Sequence, residues 1–563
     1  MKASYLNRRQ FTWAALAACA ASCAHRGAEG VDLIIHGGPI YTGIATNPRV
    51  EAVRVRAGRI LFAGALSEAR AGGAGARFVD LRGAAAFPGF TDAHVHLTGV
   101  GMAAMLLDLV GVASIAALQQ SLAAYARSHP EGAIVGRGWI ETHFPEARFP
   151  TRADLDAVVS DRPVFLERID GHAAVVNSAA FALAGVGAGT HDPEGGRIER
   201  DASGVATGML IDNAMSLVSL RLPEPSAAQK REALRQAARL YASRGWTGVH
   251  DMSTSGEEHI DFLELDGAGD MPLHADIYLA PPERYTETVR NWNALQARGG
   301  VEAGRVRLRG EKLYVDGALG SRGAALLRPY SDAPGDGLLV TPIEDLRWLL
   351  ADARHHGIQV ALHAIGDRGN RLALDAFRDT FTDDPAALRA ARWRIEHAQV
   401  LDPADIPRFA EMGIITSMQP SHAISDLHFA PARLGEMRLA GAYAWNSLLR
   451  SGAVIAGGSD APVERGDPLI EFYAACHRHD LSGFAGPNWH LEEAVSRTQA
   501  LAMFTTGAAY ASFSEHERGT IEAGKRADIS AFSVDLMQAT LAEIPSARAV
   551  LTVSDGRVTH EAL

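Results

Sequence analysis

Between residues 85 and 460 one rhythm keeps returning: a short apolar run, a turn, then a longer helix-like stretch. The runs are AAFPGF (85–90), WTGVHDM (246–252), LHADIYLA (273–280), RLRGEKLYV (307–315), IQVALHA (358–364), RWRIEHAQ (392–399), GIITSMQ (413–419) and AVIAGGSD (453–460). Stretches such as PSAAQKREALRQAARLYASRG and IEDLRWLLADARHHG separate many of them. Parallel strands need a crossover, and a helix is the usual one. Eight such units in order predict an α/β chain folded as a (β/α)8 TIM barrel, with reactive groups at the C-terminal ends of its strands.

Two departures from the rhythm predict additions to the barrel. The first and second runs lie about 150 residues apart, far more than one helix requires. That gap holds strand-like pieces of its own, GAIVGRGW (132–139) and RPVFLERIDGHAAVV (162–176). It reads as an insertion of about residues 98–228 over the barrel mouth. Alternating β-like pieces also occupy both ends of the chain, at 31–43, 52–64 and 76–89 and again at 519–535 and 549–562. They predict a small β-sandwich domain assembled from residues 28–88 and 518–563, leaving 89–517 to the barrel.

The first 27 residues stand apart. Arg8 and Arg9 precede the uncharged, alanine-rich run from Phe11 to Cys23, the layout of a twin-arginine export signal. LAAC (16–19) and AASC (20–23) resemble a lipobox, so the expectation is an exported protein, periplasmic or held at the envelope by a lipid on Cys19 or Cys23. Only Cys476 remains beyond them, which leaves no disulfide framework. A net charge of -12 with no basic run argues against a nucleic-acid partner and says little about the substrate. The oligomeric state is open.

The chemistry gathers where the barrel would put it. In FPGFTDAHVHLTG (87–99), strand alternation sends His94 and His96 to the same side. Lys312 lies in the fourth run, His363 ends the fifth, His397 the sixth and Asp460 the eighth. A buried histidine, a rim lysine or a capping aspartate each has an ordinary structural explanation. Their joint arrival at the ends of successive strands does not. Neutral imidazole suits zinc and similar ions.

These stretches, with RIDGHAAVVNSAA, KLYVDGALGSRGAAL, LHAIGDRGNRLALDAF, RIEHAQV, SMQPSHA, GSDAPVERGDPL and GTIEAGKRADISAF, resemble the amidohydrolase superfamily. The likeness is to its YtcJ-like branch, the amidohydrolase 3 family, which includes N-substituted formamide deformylases. It runs from about residue 31 to the C-terminus. The resemblance implies that His94, His96, His363 and His397 are metal ligands, and that Lys312 is carboxylated and bridges two ions. It makes Asp460 both a ligand and the catalytic proton carrier. One or two divalent ions, zinc or similar, are implied as cofactor. The implied activity is a metal-dependent hydrolase acting on carbon–nitrogen bonds other than peptide bonds. It would cleave an amide of a small organic molecule with metal-activated hydroxide.

An esterase or lactonase could use the same machinery, whereas a non-catalytic envelope binding protein is disfavoured because no ligand position is lost. Asp92 and Glu396 flank ligand histidines and could each accept a ring proton. His172 and Trp139 in the insertion, and Asp316 and Arg322 in the glycine-rich loop after Lys312, are the candidate substrate contacts. ARHHG (353–357), CHRHD (476–480) and GALGSRG (317–323) are set aside as a helix end, a helical stretch and a loop lacking the Gly-Lys-Ser/Thr of a phosphate loop.

Overall fold

The computed structural model describes residues 32–223, 225–280 and 302–563. The expected export leader, with Cys19 and Cys23, lies outside the described residues. No helix among the described residues is long and apolar enough to cross a membrane.

Eight parallel strands form the centre: β1 (Phe90–Val95), β2 (Trp246–Thr254), β3 (His274–Leu279), β4 (Val306–Tyr314), β5 (Gln359–Ala364), β6 (Arg394–His397), β7 (Ile415–Met418) and β8 (Ile455–Gly457). They pair in chain order from β1 to β8. Their residues are buried almost throughout, as expected of parallel strands covered on both faces. The ring closes just beyond β8, where the Asp460 N–H donates to the His94 carbonyl at 2.7 Å and the His96 N–H to the Ala461 carbonyl at 2.9 Å. Gly458 permits that approach, since a Cβ there would lie 2.5 Å from the His94 nitrogen.

The first run divides differently from its expected course. Ala85–Pro88 belongs to the small terminal sheet, where it pairs antiparallel with Ile529–Phe532, and the barrel begins at Phe90. The chain crosses between sheets at Gly89, where a Cβ would lie 2.3 Å from Thr247 Oγ1.

The helix Ala227–Arg244 shows how the outer layer is specified. Ser226 caps it in a reciprocal box with Gln229, and left-handed Gly245 ends it. Ala233, Leu234, Ala237, Ala238 and Tyr241 recur at helical spacing and form its buried face.

The terminal sheet has eight hydrogen-bonded strands, taken from Leu33–Pro88 and Ile529–Glu561. Its two ends fold onto one apolar core in which Val53 and Val55 meet Leu551 and Val553. A third sheet of six strands spans Leu107 to Asp212, between β1 and the helix that precedes β2. It carries Arg168, Asp170 and His172 to the wall of the cavity at the C-terminal ends of the barrel strands.

Candidate metal centre and pocket

All six residues expected as ligands converge at the C-terminal end of the barrel. His94 Nε2 lies 3.4 Å and His96 Nε2 3.2 Å from Asp460 Oδ1. His397 stands beside them, with its ring centre 4.8 Å from that of His94 and 4.6 Å from that of His363. Lys312 Nζ is 3.3 Å from His94 Nε2. Among the described residues, His94, His397 and Asp460 form the group whose ligand atoms lie within 4.8 Å of one another. His397 (φ 71°) and Asp460 (φ 57°) have left-handed backbone. That conformation costs non-glycine residues of order 1–3 kcal/mol and concentrates at functional sites.

The ring hydrogens show which edges are free. His94 Nδ1 is 2.6 Å from Glu396, His96 Nδ1 is 2.9 Å from the Met252 carbonyl, and His397 Nδ1 is 2.8 Å from Gln419 Oε1. Each of these oxygens accepts the Nδ1 proton, so each ring keeps its lone pair on Nε2. Burial and the charge of Lys312 push His94 down to about 4, and burial holds His363 and His397 well below the usual imidazole range. Burial opposes ionisation of Asp460, but its attraction to positive charge on His94 and a hydrogen bond from His96 outweigh it and hold its carboxyl well below the ordinary range.

Imidazole Nε2 atoms and a carboxylate oxygen therefore face each other at just over 3 Å. Asp460 Oδ1, His363 Nε2 and His422 Nε2 are buried without a hydrogen-bond partner among the described residues. Unpartnered polar atoms gathered at one point form a site that an ion or a water would complete. This donor set, imidazole nitrogens with carboxylate oxygen, fits a divalent ion of the zinc class.

Glu396 accepts the Nδ1 proton of His94, which is carried by a different strand of the barrel. Arg394 fixes Glu396 through hydrogen bonds of 2.7 and 2.9 Å. Asp92 touches no imidazole. It accepts the His94 and Ser459 N–H groups and the Ser459 hydroxyl, tying β1 to the segment after β8.

The expected substrate contacts divide. His172 lines the cavity, with its ring centre 5.3 Å from that of His363. Its Nδ1 lies 2.6 Å from Asp212. Burial opposes its charge, but Asp212 wins and raises it to about 9, so His172 is a cation at neutral pH. The other three residues do not line the cavity. Trp139 is fully buried in the core of the inserted sheet, its Nε1–H donating to the Leu166 carbonyl at 2.8 Å. Arg322 forms a two-armed pair with Asp332. Asp316 accepts the N–H groups of Ala325, Ile365 and Gly366, fastening the glycine-rich loop to the end of β5 behind His363.

The cavity is about 110 Å³ and mixes apolar walls, including Ile140, Leu319 and Phe429, with a few polar groups. It includes His422, Asp426 and Glu464, which the sequence reading passed over. His422 and Gln419 follow directly on β7 within SMQPSHA. That strand-end placement is the signal that singled out the other histidines.

A model of the amidohydrolase family matches residues 77–560. The YtcJ protein of Bacillus subtilis is 35% identical over 539 residues, covering 94% of this chain and 99% of the relative. The N-substituted formamide deformylase of Arthrobacter pascens is 29% identical over 558 residues, covering 94% of this chain and 98% of its own length. Among solved structures, an uncharacterized metal-dependent hydrolase from Pyrococcus horikoshii superposes with a TM-score of 0.72 at 27% identity, covering 91% of this chain and 99% of that one.

Proposed function

This chain belongs to the amidohydrolase family, and from that premise we propose that it hydrolyses a non-peptide amide bond in a small organic molecule. The observation that carries the reading is the set of facing acceptors: Nε2 of His94 and His96 against Asp460 Oδ1, with His363 Nε2 orphaned nearby. His94, His96, His363, His397 and Asp460 would hold the metal. When bound, a divalent ion supplies Lewis acidity, which acidifies water and polarises the scissile carbonyl.

The chain's own groups do the rest. Asp460 takes the proton of the attacking water on its unpartnered Oδ1 and returns it to the leaving nitrogen. His172, a cation whose outer edge borders the cavity, orients the carbonyl oxygen of the substrate. Lys312, buried beside His94, would react with carbon dioxide through its nitrogen lone pair, lose the Nζ proton and become an anionic oxygen ligand. The deformylase among the relatives supports an amide as the bond cleaved.

Metal analysis combined with matched amide and ester substrates tests this reading. The expected result is a bound divalent metal and amide turnover that a chelator abolishes and zinc restores. Full activity without metal would overturn the metal centre, and turnover of esters or lactones with no amide cleaved would overturn the bond assignment. Removing dissolved carbon dioxide is expected to lower activity and bicarbonate to restore it. Export by the leader belongs to the same proposal; an intact N-terminus found only in the cytosol would refute it.

A further inference from the structure

The polar groups around the cavity are not balanced in charge. Its two cations are already matched within the protein. Arg168 lies between Glu141, at 2.8 Å, and Asp170, and His172 is held by Asp212. Two further carboxylates lining the cavity form no ion pair with a lysine or arginine among the described residues. Asp426 accepts hydrogen bonds from the hydroxyl of Tyr443 and from Gln399 Nε2 at 2.8 Å. Glu464 accepts the Ser425 hydroxyl at 2.6 Å. All of these donors are neutral. Burial raises both carboxyls above their ordinary range, outweighing the opposing pull of His422 on both and of Arg168 on Asp426.

A second feature points to a ligand at the same place. His422 stands one turn before Asp426 on the helix Pro420–Asp426. It is 8% exposed, and its Nε2 is buried and unpartnered on the cavity wall, 3.7 Å from Asp460 Oδ2. Asp426 and Glu464 are close neighbours, because Ser425, which binds Glu464, directly precedes Asp426. From Asp460, then, the wall runs through His422 to two carboxylates whose hydrogen-bond donors are all neutral. A carboxylate pair that the protein solvates but does not neutralise attracts a cation from the ligand.

We propose that the pocket selects small amides carrying a cationic group, an ammonium or amidinium, a few bonds from the scissile nitrogen. The cation seats against Asp426 and Glu464, while the amide lies at Asp460 and the histidines. This inference rests on the hydrolase reading for the position of the amide, but the cation seat can be tested by binding alone. An anionic substituent would meet two carboxylates at the same wall and be rejected.

The test compares three amides of similar length: N-(4-aminobutyl)acetamide, N-pentylacetamide and N-acetyl-5-aminopentanoate. Calorimetric binding and hydrolysis are measured separately on the metal-loaded protein. The expected result is binding of the ammonium compound at least about tenfold tighter than the neutral one, with the anionic one weakest. In Asp426→Asn/Glu464→Gln the ratio of ammonium to neutral affinity is expected to fall to within about twofold. Equal or tighter binding of the neutral amide to the wild-type protein overturns the inference, whether or not the double variant folds. So does an unchanged ratio in a folded double variant, or in Glu464→Gln and Asp426→Asn singly. Cation-selective binding without hydrolysis of any amide would leave the cation seat standing and refute the hydrolase reading. Amide hydrolysis without cation preference would do the reverse.

Discussion

Two polar layers share the barrel interior, and they follow opposite rules. In the lower layer buried carboxylates meet guanidinium groups. Glu396 pairs with Arg394, and Asp276 accepts from Arg518 at 2.6 Å and from Arg309 at 3.0 Å. In the upper layer Asp460 meets the lone-pair edges of imidazoles. An unpaired buried charge costs several kcal/mol, so the lower layer is the arrangement expected where a barrel holds charges for structure alone. The upper layer instead gathers a donor set that fits a divalent ion. Glu396 joins the two: Arg394 anchors it from below while it fixes the Nδ1 proton of His94 above. Satisfied and unsatisfied polar groups thus separate scaffold from chemistry within one set of strands.

Breaking the upper layer is expected to have the largest effect on turnover and little on the fold. Asp460→Asn keeps the shape but loses the proton carrier, so activity should fall by about 10²–10⁴-fold. Metal content and melting temperature should stay near wild type. Full activity in this variant would remove Asp460 from its role. The lower layer predicts the opposite pattern. Arg394→Met leaves Glu396 buried without its cation and should cost about 3–5 kcal/mol of stability in chemical denaturation. Metal affinity should weaken by about 10–100-fold as His94 loses its anchored partner. A stable Arg394→Met protein with normal metal affinity would show that the layers are not coupled.

How much of this the sequence reveals depends on how local each determinant is. Strand-end histidines were legible because their positions depend on the strand that carries them and on its alternation. The partners behind them were not. Asp92 and Glu396 both flank a ligand histidine, yet only Glu396 reaches a ring, and that ring sits on a strand distant in sequence. Trp139 and His172 both come from the insertion and differ only in which way the inserted sheet turns them. Asp316 stands in a glycine-rich loop that looks like a pocket rim, but its three donors come from residues 325, 365 and 366. Asp426 and Glu464 could not be paired by pattern, because nothing local says that Ser425 joins them.

The cap side of the pocket offers a milder contrast. His172 is charged because of Asp212, and its pKa is raised from 6.5 to about 9. A histidine raised in the folded state contributes stability that is fully present below its unfolded pKa and is lost as pH rises through its folded one. Between pH 6.5 and 9 the wild-type protein should therefore lose stability through this pair. Asp212→Asn should start lower at pH 6.5 and show a flatter slope across the same range. Parallel pH profiles for the two proteins would show that His172 is not held charged.

The smallest expected effect comes from two neighbours on β4. Lys312 points into the site, whereas Glu311 turns to the opposite side of the strand and is buried with both carboxyl oxygens unpartnered among the described residues. An orphaned acid can thus mark a cost as well as a site; what separates Glu311 from Asp460 is the absence of converging ligands. Burial and the charge of Asp352 raise Glu311 from 4.5 to about 8. The folded state therefore binds more protons than the unfolded state between those values, and stability falls as pH rises across that interval. Glu311→Gln removes the titration while keeping the side chain's shape. Its melting temperature should match wild type near pH 5 and exceed it by a few degrees above pH 8, about the shift that 1–2 kcal/mol produces in a chain of this size. Equal melting temperatures at both pH values would mean that Glu311 is solvated or paired in solution, and only converging orphans, as at Asp460, would then remain a reliable mark of function.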